Sequence, residues 1–158
     1  GSAMNLVSDI LPLANVVTDL DMASKKRVFE HAGLLFENHQ GIARAQVFDS
    51  LFAREKLGST ALGQGVAIPH GRVKGLKNAV GALVRMKAPI PFDAPDGQGV
   101  SLIFLLMVPD RATDQHLQIL AELAEMFSDK PFRELLMTAE AAIDIHALIA
   151  NWSSHAPN

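Results

Sequence analysis

The chain contains no cysteine, which excludes disulfides, a thiolate nucleophile and any thiolate-bound metal. It also lacks a long apolar run. The longest, Leu102 to Val108, stops at Pro109 and is far shorter than a bilayer crossing requires. Nor is there an excess of charge of one sign: 14 basic residues against 17 acidic give a formal net charge of −3. The basic residues are scattered rather than gathered in an arm, which argues against nucleic acid as the main ligand. No internal repeat, low-complexity tract or inter-domain linker is present, and no secretory leader precedes the first helix signal. These absences leave one domain of 158 residues, 49% of them hydrophobic, as the expectation, in the cytoplasm and without membrane insertion. Residues 1–4 read as a cloning remnant, 5–152 as the domain and 153–158 as a polar tail.

The order of patterns predicts the fold. "SDILP" reads as a helical turn capped by Ser8, and "NVVTDL" as a short strand. From Ser24 to Asn38, Val28, Ala32, Leu35 and Phe36 recur at helical spacing before Gly41, and a second amphipathic helix covers about Ala43 to Lys56, ahead of Gly58. "NAVGALVRM" and "VSLIFLLMV" read as strands, the second apolar enough to be covered on both faces. The prolines and Asp96-Gly97 of the intervening "APIPFDAPDGQG" demand turn geometry. "TDQHLQILAELAEMF" is helical, Pro131 suits the first turn of another helix, and "AEAAIDIHALIANW" forms the last. Helices, then strands, then helices imply a mixed α/β domain whose central mixed sheet is flanked by helices.

Six histidines offer chemistry. His31 and His39 sit in or just after an ordinary helix, His155 lies in the tail, and His146 lies among isoleucines of the last helix; none is assigned a role. His70 differs, because it follows the apolar Val66-Ala67-Ile68, Pro69 fixes its approach and Gly71 offers no side chain, so its ring projects with room for a ligand. From spacing alone, a binding site and a turn that merely contains a histidine stand level. His116 shares a helix face with Leu120, Leu123 and Phe127, a polar ring on an apolar face within the first turn. Arg54 ends the helix that feeds the glycine-rich loop, and Ser59 and Thr60 supply hydroxyls within it. Imidazole, guanidinium, hydroxyls and glycine-backed N–H groups are parts that can hold a phosphoryl group, and a neutral imidazole can carry one. A second reading of the same residues is a metal site built from His70, His116 and Asp93 or Asp114, although their spacing matches no local metal motif.

The stretch "REKLGSTALGQGVAIPHG", with "PIPFDAPDGQGVSLIFLLMVP" and "TDQHLQIL" following in order, resembles the fructose–mannitol class of IIA proteins of the bacterial sugar phosphotransferase system. The resemblance covers nearly the whole chain, and "LVSDILPLANVVTDLDMASKKRVFE" is similar to the nitrogen-related, free-standing IIA type within that class. It implies the IIA fructose–mannitol-type fold, with His70 taking phosphate from a histidine phosphocarrier protein that an enzyme I charges. His116 and Arg54 match the family's second histidine and arginine, and Ser59, Thr60 and Gly71 match its phosphate-binding loop. No metal or organic cofactor is implied. The nitrogen type implies a regulator, with targets such as potassium transport or sensor-kinase proteins; the alternative is a component passing phosphate to a sugar-transport IIB protein.

Overall fold

The computed structural model describes residues 5–111 and 113–154. Residues 1–4 and His155 lie outside the described residues. The strand predicted at the apolar run, β6 (Val100–Pro109), organises the domain. Its side chains alternate between two cores: Ile103, Leu105 and Met107 pack with one cluster, and Leu102, Phe104, Leu106 and Val108 with the other. This is why the sequence is apolar at every position from Leu102 to Val108, as expected for a strand covered on both faces.

The other elements build outward in a six-stranded mixed sheet. β5 (Val80–Ile90) pairs antiparallel with β6, and β1 (Val16–Leu20) lies parallel to β5. On the opposite side of β6, β3 (Val66–Ala67) pairs near its start and β4 (His70–Val73) near its end, both in parallel, while β2 (Ala61–Gly63) pairs antiparallel with β3. α2 (Lys25–Gln40) and α3 (Arg44–Glu55) cover one face. α1 (Leu6–Asp9), α4 (Asp114–Ser128), α5 (Lys130–Thr138) and α6 (Ala142–Asn151) cover the other. No helix among the described residues is long and apolar enough to cross a membrane.

Two local readings need correction. Ser8 is inside α1 rather than its cap. Asn5 caps the helix instead, its Oδ1 accepting from the Ser8 N–H at 2.8 Å, while its amide also donates to the Ile149 and Trp152 carbonyls and ties α1 to α6. β5 also runs through Pro89 into the segment read as loop. The proline is tolerated because the β5–β6 register shifts between Arg85 and Ile90, where a missing N–H interrupts no ladder bond. The turn at Asp96-Gly97 forms as expected, with Gly97 at φ 72° and its N–H on the Ala94 carbonyl at 3.0 Å.

Candidate active site

β4 sets the site. In parallel pairing His70 lies opposite Leu106, Gly71 opposite Met107 and Arg72 opposite Val108. The period of two therefore puts His70 and Arg72 on the face shared with Leu106 and Val108, toward α4. Gly71 points to the other face, where α3 crosses so closely that a Cβ at this position would sit 2.8 Å from Ser50 Cβ and 2.9 Å from the Ser50 carbonyl carbon. The glycine read as leaving space for a ligand also leaves space for a helix.

Where α3 and α4 part at the sheet edge, a cleft of about 900 Å³ opens. Arg54 and Leu57 line it from the α3 side, His70 and Arg72 from β4, and Thr113, Asp114, His116 and Leu117 from the start of α4. Three of the residues read from the sequence, His70, His116 and Arg54, are thus brought together from segments far apart in the chain. His116 is buried in the first turn of α4, and among the described residues its ring makes no hydrogen bond. The Arg54 guanidinium donates to the Gly58 carbonyl at 2.8 Å, which braces the turn leaving α3 at the cleft wall.

The His70 ring has a fixed tautomer. Its Nδ1 is 3.0 Å from the Ile68 carbonyl oxygen, and since a carbonyl only accepts, Nδ1 carries the proton and Nε2 keeps its lone pair. Burial lowers its pKa below the ordinary 6.5, the bond to Ile68 and the Glu55 carboxylate oppose this, and the Arg54 and Arg72 guanidiniums add to the lowering. The result is a neutral ring with a nucleophilic nitrogen at neutral pH.

Ser59 and Thr60 do not line the cleft. The Ser59 hydroxyl donates to the Phe92 carbonyl at 2.6 Å and accepts from the Ala61 N–H at 3.1 Å. The buried Thr60 gives its N–H and hydroxyl to Glu55, at 3.0 and 2.8 Å, and Glu55 also holds Lys25 Nζ at 3.0 Å. Their hydroxyls lock the loop to α2, α3 and the Phe92 segment. Arg72, missed in the sequence reading, was signalled by its spacing: two residues past His70 on a strand means the same face.

The metal reading loses its geometry. Asp93 is drawn to Lys25 at 3.6 Å and is absent from the cleft lining; Asp114 lines the cleft with His70 and His116, but no group of three or more His, Asp or Glu side chains among the described residues could hold a metal ion.

The cleft thus holds a histidine at a strand edge, neutral at neutral pH, with a second histidine and an arginine in its walls. Residues 9–152 match the family described as phosphoenolpyruvate-dependent sugar phosphotransferase system, EIIA 2, and the chain belongs to it. Within that class it is similar to the nitrogen regulatory protein of Pseudomonas aeruginosa, 37% identical over 92% of this chain and 95% of that one. The crystal structure of the nitrogen regulatory protein IIA-Ntr from Neisseria meningitidis superposes with a TM-score of 0.87 at 55% identity, covering 92% of this chain and 99% of that one. The Escherichia coli IIA mannitol structure, at 22% identity and a TM-score of 0.74 over 88% and 98% of the two chains, shares the fold.

Proposed function

We propose that this protein is a phosphohistidine carrier in which His70 accepts a phosphoryl group from a histidine phosphocarrier protein, and that it acts as a nitrogen- and potassium-linked regulator. The observation that carries this reading is the His70 ring: Nδ1–H is committed to the Ile68 carbonyl, so Nε2 alone is left to react, in a cleft walled by two guanidiniums. The Nε2 lone pair forms the new N–P bond in line as the donor's P–N bond breaks, and that electron pair returns to the donor imidazole. The proton stays on Nδ1, donated to the Ile68 carbonyl. Arg54 and His116 offset charge on the phosphoryl oxygens. Ser59 and Thr60 act at one remove, by fixing the segment that follows the helix bearing Arg54 and leads toward His70.

The regulatory half of the reading is supported by the nitrogen regulatory relatives. A phosphoryl group adds roughly two negative charges at the cleft, enough for a potassium-transport or sensor-kinase protein to tell the two forms apart. Incubation with phosphoenolpyruvate, enzyme I and phosphocarrier tests the chemistry by intact mass: the wild type gains one phosphoryl and His70→Ala gains none. An equal gain on the variant refutes it. Onward transfer to a fructose- or mannitol-type IIB protein as fast as loading would move the role from regulation to sugar transport.

A further inference from the structure

Lys25, at the start of α2, carries a charge largely withdrawn from water. Its side chain is 18% exposed and that of Glu55 only 4%, with 3.0 Å between Nζ and the carboxylate. The ammonium also lies 4.6 Å from the centre of the Phe92 ring and 3.6 Å from Asp93. An ion pair withdrawn this far loses hydration on both sides, and commonly stabilises a fold no better than apolar side chains of similar size. Its connection to His70 supplies another reason for it. Lys25 Nζ donates to Glu55, and the same carboxylate accepts the Thr60 N–H and hydroxyl. The Thr60 carbonyl accepts the Ile68 N–H at 3.0 Å, and the Ile68 carbonyl accepts Nδ1–H of His70, also at 3.0 Å. A continuous series of hydrogen bonds thus runs from α2 to the His70 ring.

The peptide that meets the ring has no donor of its own. Its nitrogen belongs to Pro69, so no N–H of that peptide can hold it in the sheet. The direction of the Ile68 carbonyl therefore depends on the bonds either side of it: Ile68 N–H on Thr60, and Leu106 N–H on the Pro69 carbonyl at 2.9 Å. β6 fixes the second. The first is only as firm as Thr60, which is held by Glu55 and, through it, by Lys25. We propose that Lys25 is a positioning residue for phosphoryl acceptance: by holding Glu55 against Thr60 it keeps the Ile68 carbonyl on Nδ1 and leaves the lone pair on Nε2. This rests on the reading of His70 as phosphoryl acceptor. Without the ammonium, the buried carboxylate loses its counter-charge, draws in water or a proton, and no longer fixes Thr60. The neutral ring then divides between its two tautomers, and the Nε2–H form has no lone pair on Nε2 with which to take a phosphoryl group.

The test reads the His70 tautomer by nitrogen NMR on the full-length protein at about pH 8.5, where a histidine ring is neutral in every variant. The wild type should be the Nδ1–H form. Lys25→Met should show the Nε2–H form as well, the tautomer ratio moving by about two- to tenfold, the net worth of one hydrogen bond. Loading from phosphoramidate, in which the Nε2 lone pair forms the N–P bond as the donor's P–N bond breaks and ammonia leaves, should slow by about twofold or more in that variant. Val28→Ala, a buried position on the same helix outside the series, lowers stability without touching it and should keep the Nδ1–H form. Thr60→Val removes the hydroxyl bond alone and should move the ratio the same way by a smaller factor, which serves where Lys25→Met does not fold. A wild-type tautomer in Lys25→Met or, should that variant not fold, in Thr60→Val would overturn the role of Lys25 while leaving His70 as acceptor. An equal shift in Val28→Ala would do the same, by tracing the effect to general loosening. Failure of phosphoramidate to modify His70 in the wild type would overturn the functional reading beneath it.

Discussion

Burial and two nearby guanidiniums favour the neutral His70 ring, so its pKa lies below the ordinary 6.5. The unfolded chain takes up a proton at pH values where folded His70 does not. Its contribution to stability is therefore complete above about pH 6.5 and is lost as pH falls from there through the folded value. NMR titration of the ring should give a midpoint below 6.5, moving upward in Arg54→Ala as one repelling cation is removed; a midpoint above 6.5 in the wild type contradicts the geometry. Gly71 is constrained by its neighbour. Gly71→Ala forces a methyl group against Ser50 of α3, and should lower stability by about 1–3 kcal/mol in denaturant titration and slow His70 loading as α3 shifts.

Among the elements, the loop after α3 is held by a carboxylate rather than by its own turn residues. Glu55 receives the Thr60 N–H and hydroxyl and the Lys25 ammonium, so α2, α3 and the residue that leads into β2 meet on one side chain. Glu55→Gln keeps the shape but has one acceptor oxygen fewer, and should cost about 1–3 kcal/mol in chemical denaturation. His70 loading should slow in parallel, because the turn after α3 that Arg54 holds through the Gly58 carbonyl loosens. The helices and the two long strands were legible in the sequence because their apolar spacing is dictated by burial on one or both faces. Gly41 ends α2 as read, at φ 69°. The direction of short polar side chains was not legible. Ser59 and Thr60 had the right chemistry for a phosphate loop, but their hydroxyls are claimed by Phe92 and Glu55, partners 33 and 5 residues away that no local pattern announces. Asn5 capping α1 in place of Ser8 is the same kind of miss, since Asn and Ser compete for one role and the winner also bonds α6 across the fold.

For the whole molecule, β6 belongs to both cores and carries the site at its far end, opposite β4. Phe104 is fully buried there, and Phe104→Ala should lower stability by about 3–5 kcal/mol in a single cooperative denaturant transition. Two separate transitions would mean that the layers on either side of the sheet do not fold as one. The cleft at the edge of this sheet was readable only in part. The sequence named His70, His116 and Arg54, but that they line one cleft follows from the parallel pairing of β4 with β6 and from α3 and α4 lying on opposite faces. In that cleft the Ile68 carbonyl takes Nδ1 of His70, which leaves Nε2 as the ring nitrogen with a lone pair. Phosphorus-coupled nitrogen NMR on the loaded protein tests this directly. A single phosphoryl group on Nε2 of His70 is the expected result, and linkage through Nδ1 of His70, or to His116, would contradict it.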